Sequence, residues 1–214
     1  MVFIIIAHRG LTNKNIKENT LPAFLNAVRN NYDGIEFDIR KTKDNKIVVL
    51  HDPFINRTSD KSGYIKNKTY KELKKANFGT KKYKAKIPLL KDVLLNLKKT
   101  NILIELKEKF QEEELNKVLK YNKNNNIMFI SFSKEHLNSI KNLPYKKGLI
   151  NYLLNSNIDY NLYDFYIIHY KFYNKNVLDK FTKLKKELFL CGIDNYSKLH
   201  NDYLSENLNY IVNK

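Results

Sequence analysis

Nine short runs rich in β-branched and aromatic residues punctuate the chain, and most are separated by lysine-rich stretches of helical spacing. The runs are Phe3–Ala7, Gly34–Arg40, Ile47–Leu50, Ile102–Leu106, Ile127–Ser131, Gly148–Asn151, Phe165–Ile168, Glu187–Cys191 and Tyr210–Val212. Each has the length and composition of a buried or half-buried strand. Helices are expected at Leu21–Asn31, Leu89–Lys99, Gln111–Lys123, Lys134–Asn142, Asn174–Lys183 and Tyr196–Glu206. Such alternation argues for a parallel sheet covered by helices, because a parallel pair needs a crossover of a dozen residues or more. One connection breaks the rule. Lys41–Lys46 is too short for a crossover helix, and its Asp44-Asn45 pair is turn chemistry, so the second and third strands are expected to form a hairpin. A modified eight-stranded barrel accommodates this better than a regular one, with a doubly wound open sheet as the alternative.

The length of 214 residues suits one domain, 1–214, and neither an internal repeat nor a Pro/Gly-rich linker divides it. A hydrophobic content of 43% is that of a folded chain. The opening apolar stretch Val2–Ala7 is too short for a signal core, and no later stretch approaches the roughly 20 apolar residues of a membrane span. With Cys191 as the lone cysteine, a cytoplasmic protein without stable membrane insertion is expected. A net charge of +17 raises the question of nucleic acid. However, the lysines are scattered among Asn, Ile and Tyr, and no aromatic stripe is spaced for base stacking, so no nucleic-acid partner is expected.

The first helix has a legible start, with Thr20 as N-cap and Pro22 in the first turn. Glu18 and Asn19 therefore fall in the loop after the first strand, on the side where barrels place their chemistry. His8-Arg9-Gly10 ends that strand and supplies an acid/base, a planar cationic fork and a residue that permits a close turn. Glu36 and Asp38, two apart on one strand, share a face opposite Ile35, Phe37 and Ile39. Two acids on a buried face call for a cation, and an all-oxygen set selects a hard one such as Mg2+ or Ca2+. Val-Val-Leu-His51-Asp52 repeats the strand-end histidine, with Asp52 either fixing the ring or, as preferred, capping the turn at Pro53. Glu105 and Lys107 repeat the i, i+2 spacing, adding a carboxylate and a cation between which a phosphate can lie. His136 and His200 are expected on helix surfaces, His169 ends a strand where it could line a pocket, and Cys191 reads as inert core.

Taken in order, AHRG (Ala7–Gly10), ENT (Glu18–Thr20), IEFDIR (Ile35–Arg40), VLHD (Val49–Asp52) and IELK (Ile104–Lys107) resemble the glycerophosphodiester phosphodiesterase family. Ile87-Pro88-Leu89-Leu90 and Ser131-Phe132 echo it more weakly. The resemblance implies a TIM-type (βα)8 barrel that uses a divalent cation to hydrolyse small glycerophosphodiesters to sn-glycerol 3-phosphate and an alcohol. It further implies an acid/base pair of His8 and His51, and a metal held by Glu36, Asp38 and Glu105. Arg9 and Lys107 would contact phosphate, with Glu18 and Asn19 supporting the pocket. The alternatives are a lysophospholipase D-like enzyme and a non-catalytic, basic phosphate-binding barrel. Departures cluster late: Lys17 stands where the family has proline, Cys191 where it often has tryptophan, and Asn207–Lys214 lacks the usual glycine and aspartate. They leave the phosphate chemistry intact and alter the pocket wall.

Overall fold

The computed structural model describes residues 3–153, 159–194 and 208–213. Eight parallel strands close into a barrel: β1 (Ile5–His8), β2 (Gly34–Lys41), β4 (Asn101–Leu106), β5 (Asn126–Ser131), β6 (Lys146–Ile150), β7 (Phe165–His169), β8 (Glu187–Ile193) and β9 (Leu208–Val212). β1 pairs with both β2 and β9 to complete the ring. The remaining strand, β3 (Ile47–Val49), runs antiparallel to β2, and Ile39 faces Val49 across the expected hairpin. Closure excludes the open doubly wound sheet.

Helices α1 (Leu21–Arg29), α3 (Leu90–Asn96), α4 (Glu112–Leu119), α5 (Lys134–Asn138) and α6 (Lys175–Lys183) lie within the expected segments. Thr20 caps α1 by accepting from the Ala23 amide, and Pro22 occupies the first turn. Most of these helices stop short of their expected ends. α4 gives way before the Asn-rich turn in which Asn124 takes a left-handed φ of 62°. The expected helix Tyr196–Glu206 and His200 lie outside the described residues.

Strand parity sorts the core. Ile35, Phe37 and Ile39 on β2, with Ile102, Ile104 and Leu106 on β4, point outward and pack with Phe24, Leu94 and Leu115 of the helices. Alternate residues point inward, where Ile6, Leu103, Met128, Ile150, Phe165, Ile167, Phe189 and Ile211 fill the lumen. The barrel is therefore plugged below and open to chemistry only at its C-terminal end. The segment after β3 was not anticipated as a structural unit. It builds a satellite core from Val48, Leu50, Ile55, Ile65, Leu73, Ala76, Phe78 and Ile87 around a short helix α2 (Tyr70–Leu73) closed by a Thr69/Glu72 capping box.

Candidate active site

Strand register sets the inner wall. The β1–β2 pairing puts His8 level with Glu36, and the β2–β4 pairing puts Asp38 level with Glu105. One carboxylate oxygen from each of Glu36, Asp38 and Glu105 lies within 4.8 Å of the others, at residue exposures of only 2%, 1% and 7%. Three acids so close cannot all hold a charge without a partner. Burial, then Asp38 and Glu105, raises Glu36 well above the usual carboxylate range; burial, then Asp38, pushes Glu105 up to about 7. Burial acts on Asp38 too, but Lys107, Arg9, His51 and the Asn19 hydrogen bond outweigh it and hold that carboxylate low.

The cations and the amide that support Asp38 come from two loops, after β1 and after β4. Lys107 Nζ sits 3.1 Å from Asp38 Oδ1 and 2.6 Å from Glu105 Oε1. Arg9 Nε lies 3.6 Å from Asp38 Oδ2, and Asn19 Nδ2 donates to the same oxygen at 2.9 Å. Arg9 also donates its backbone N–H to Glu36 Oε2 at 3.1 Å. Arg9 and Asn19 both take left-handed backbone conformations, with φ of 57° and 54°, and Asn19 N–H donates to Arg9 O. Each such residue costs on the order of 1 kcal/mol, strain that the surrounding fold sustains where it aims side chains at the acids. Gly10 follows with φ 79°, and a Cβ there would meet the Ala23 backbone at 2.7 Å, so the turn onto α1 needs glycine.

Both strand-end histidines are oriented through Nδ1. Asn213 Nδ2 donates to Asp194 Oδ1, which turns its Oδ1 toward His8 Nδ1 at 2.6 Å. His8 thus carries its proton on Nδ1 and presents Nε2 to the site, 3.8 Å from Glu36. His51 Nδ1 meets Asp52 Oδ1 at 2.6 Å, so Asp52 holds the ring directly, and the preference for turn capping is corrected. A carboxylate one residue along the chain can reach back to the ring because the strand ends at that point. Burial, then Arg9, lowers the His8 pKa; burial also lowers that of His51, against the opposing pull of Asp38 and Asp52.

Arg57 is a site residue that sequence reasoning missed. Its Nε donates to Asp52 Oδ2 at 2.6 Å, and its Nη2 donates to Glu18 Oε1 at 2.8 Å. Glu18 in turn accepts from Arg9 Nη1 at 3.0 Å. His51, Asp52, Arg57, Glu18 and Arg9 therefore form a line of alternating charge across the mouth. Arg57 draws Asp52 down to about 2. Arg40, also unassigned, donates from Nε to the His51 carbonyl.

The far side of the mouth differs in character. Tyr152 is paired with the Cys191 thiol, whose pKa burial pushes up to about 12, in keeping with an unreactive cysteine. His169 lines a groove there, against Tyr152. His136 is half-buried, with Nδ1 3.0 Å from the Leu106 carbonyl and 3.2 Å from Ser131 Oγ, so the expected surface position is corrected. It ties α5 to the ends of β4 and β5.

The acid cluster fits a hard divalent cation. Its donors are all carboxylate oxygens, and beyond their ion pairs Asp38 Oδ1 and Arg9 Nε make no hydrogen bond among the described residues, as expected where a cation and an oxyanion belong. Residues 8–190 match the model of the glycerophosphoryl diester phosphodiesterase family. A glycerophosphodiester phosphodiesterase of Caldanaerobacter subterraneus is 37% identical over 164 residues, covering 70% of this chain and 67% of the relative. One from Bacillus subtilis is 32% identical over 164 residues, covering 65% of this chain and 56% of the relative. The matched stretch thus spans 67% and 56% of these relatives' own lengths. Among solved structures, an Oleispira antarctica phosphodiesterase in complex with the product sn-glycerol-3-phosphate superposes with a TM-score of 0.86 at 24% identity, over 98% of this chain and 92% of that one. A glycerophosphodiester phosphodiesterase from Thermotoga maritima gives 0.77 at 27% identity, over 100% and 95%. With fold, site order and family model in agreement, the chain belongs to the glycerophosphoryl diester phosphodiesterase family.

Proposed function

We propose that residues 1–214 act as one domain that hydrolyses glycerophosphodiesters to sn-glycerol 3-phosphate and an alcohol, with Mg2+ or Ca2+ held by Glu36, Asp38 and Glu105. The observation that carries the reading is the buried carboxylate triad, within 4.8 Å, beside two histidines each anchored through Nδ1. The solved relative that holds sn-glycerol-3-phosphate supports the choice of product. When bound, the cation supplies a Lewis acid that stabilises negative charge on the phosphoryl oxygens.

The chain's own residues do the rest. Arg9 and Lys107 hold the phosphate oxygens, and Glu18 and Asn19 keep Arg9 and Asp38 in place. His8, half-buried beside Arg9 and held by a neutral amide, is suited to remain neutral and take a proton from the attacking nucleophile through Nε2. His51, held by an ionised Asp52 that stabilises an imidazolium, is suited to give a proton to the departing alkoxide. The lone half-buried thiol Cys191 suits a cytoplasmic setting. No helix among the described residues is long and apolar enough to cross a membrane.

The test is release of sn-glycerol 3-phosphate from glycerophosphocholine by the purified protein, with Mg2+ or Ca2+ and then with EDTA. His51→Ala is expected to lose roughly 100-fold or more in turnover while keeping its melting temperature. Near-normal turnover in that variant, or release that ignores EDTA, would refute the assignment.

A further inference from the structure

Lysines from two separate segments gather beside the barrel mouth. The satellite segment after β3 carries Lys81, Lys82, Lys84 and Lys86, all exposed, and the loop between β1 and α1 exposes Lys14 and Lys17. The two segments meet at a cleft of about 630 Å³ whose lining includes Lys17, Lys82 and Lys84 and no carboxylate. Lys17 adjoins Glu18, whose side chain is held by Arg9 and Arg57, so the cleft borders the site mouth. Among the described residues the lysines in ion pairs are Lys41, Lys66, Lys107, Lys109 and Lys146, and none of the cleft lysines is among them.

The basic tip is a built turn. Phe78 N–H donates to Ala85 O and Thr80 N–H to Tyr83 O, both at 2.9 Å, while Asn77 Oδ1 accepts from the Gly79 and Ala85 amides at 3.0 Å. A Cβ on Gly79 would run into the Tyr83 carbonyl, so glycine lets the turn close. The turn displays Tyr83, 47% exposed, with Lys82 Nζ 5.3 Å from its ring centre. Two more exposed rings stand on the same segment: Phe54, three residues past His51, packs on Tyr64 at 5.2 Å.

The chemistry narrows the partner. A small anion would be enclosed by converging donors, whereas these ammonium groups stand exposed along a rim. A nucleic acid would be met by arginine forks and a row of rings, but the one arginine of the satellite segment, Arg57, is engaged by Asp52 and Glu18. Point charges beside exposed tyrosine rings match an anionic lipid surface, where ammonium groups are drawn to the head-group phosphates and tyrosine sits at head-group level.

We infer that the rim formed by Lys14, Lys17, Lys82, Tyr83 and Lys84 docks the protein on the surface of an anionic bilayer, with the barrel mouth at the contact. Docking is peripheral and reversible, because the rim offers charges and single rings and no apolar segment that enters the hydrocarbon. Binding is read without turnover, so this inference stands or falls separately from the phosphodiesterase reading.

The experiment is co-sedimentation of the purified protein with phosphatidylcholine vesicles, with and without phosphatidylglycerol, at low and high salt. Wild type should bind the phosphatidylglycerol vesicles about tenfold or more tightly than the neutral ones, and high salt should abolish the difference. Lys82→Gln/Lys84→Gln should bind them about 25-fold more weakly, at about fivefold per lysine. Lys98→Gln/Lys123→Gln removes the same charge from exposed positions just ahead of β4 and β5, at the opposite end of the barrel, and should stay within about twofold of wild type. All four lysines are exposed and outside the catalytic machinery, so melting temperatures and glycerophosphocholine turnover in solution should hold. Equal losses in the two double variants would reduce the attraction to net charge and overturn the docking face, as would wild-type binding that ignores phosphatidylglycerol. Tighter binding to single-stranded RNA than to the vesicles, through Lys82 and Lys84, would assign the rim to nucleic acid and overturn the lipid surface.

Discussion

Replacing Arg57 with alanine separates positioning from chemistry at this site. Among the described residues, Arg57 hydrogen-bonds neither to the acid triad nor to its three polar supports, and its side-chain partners are Asp52 and Glu18. Its side chain is 47% exposed and those of both acids 24%, so each ion pair is worth no more than about 1 kcal/mol. Losing both should cost at most about 2 kcal/mol and lower the melting temperature by no more than roughly 8 °C in a chain of this size. The sign with pH follows from Asp52. Its folded pKa of about 2 lies below the unfolded value of about 4, so the stabilisation is fully present above pH 4 and is lost as pH falls toward 2. The gap between wild type and variant should therefore close over that interval.

Turnover should suffer more than stability. Without Arg57, Asp52 stays ionised at neutral pH, but its carboxylate is free to swing, and the His51 ring it holds at 2.6 Å swings with it. A misplacement of about 1 Å can cost roughly 100-fold, so a fall in kcat of about 10- to 100-fold is expected with little change in KM. Removing a nearby cation also raises the His51 pKa. If His51 is the acid, the basic limb of the kcat profile moves to higher pH. The assay is sn-glycerol 3-phosphate release from pH 5 to 10, with Arg57→Lys as a variant that restores the charge but not the fork. An Arg57→Ala protein with wild-type kcat would refute the positioning argument, and movement of the acidic limb alone would exchange the roles of His8 and His51.

Glu36→Gln removes one of three mutually repelling carboxylates, so the cation-free protein should melt within a few degrees of wild type, or higher. Wild type should gain about 2.7 kcal/mol of stability at a cation concentration 100-fold above Kd, and the variant almost none; an undiminished shift on adding Mg2+ or Ca2+ would remove Glu36 from the ligand set. Gly192→Ala places a Cβ on a backbone at φ 83° and against the His169 ring. It should cost about 2–3 kcal/mol in urea unfolding, and a loss below 0.5 kcal/mol would mean that the ring moves aside freely.

Periodicity made the barrel legible because a parallel sheet buries both strand faces, leaving most strands as near-continuous apolar runs such as Phe165–Ile168 that stand out from lysine-rich helices. The same logic exposed Glu36, Asp38 and Glu105, since a charge inside such a run has no solvated face to turn to. The satellite core after β3 was not legible. Its apolar residues, from Val48 to Ile87, are spread over 40 positions, with neither a 2- nor a 3.6-residue period to mark them. Helix ends were overestimated because lysine and asparagine continue past the last packed turn without a compositional break, as after Leu119.

What escaped at the site shares one property: the partner is set by tertiary closure, not by local pattern. Asn213 reaches His8 only because β9 closes on β1, 205 positions away in sequence. Its amide oxygen fixes the His8 tautomer in a chain end that lacks the aspartate the resemblance implies. Arg57 joins Glu18 across 39 positions in the same way. Yet composition held a signal for it. Four of the 39 basic residues are arginine, and three of those four, Arg9, Arg40 and Arg57, donate to Glu18, to the His51 carbonyl and to Asp52. In a chain this rich in lysine, Arg9 and Arg57 stand where a planar fork contacts two acids at once, a task an ammonium on a flexible stem does poorly. Lys107, which lies at a single point between two carboxylates, needs no fork, and there lysine stands.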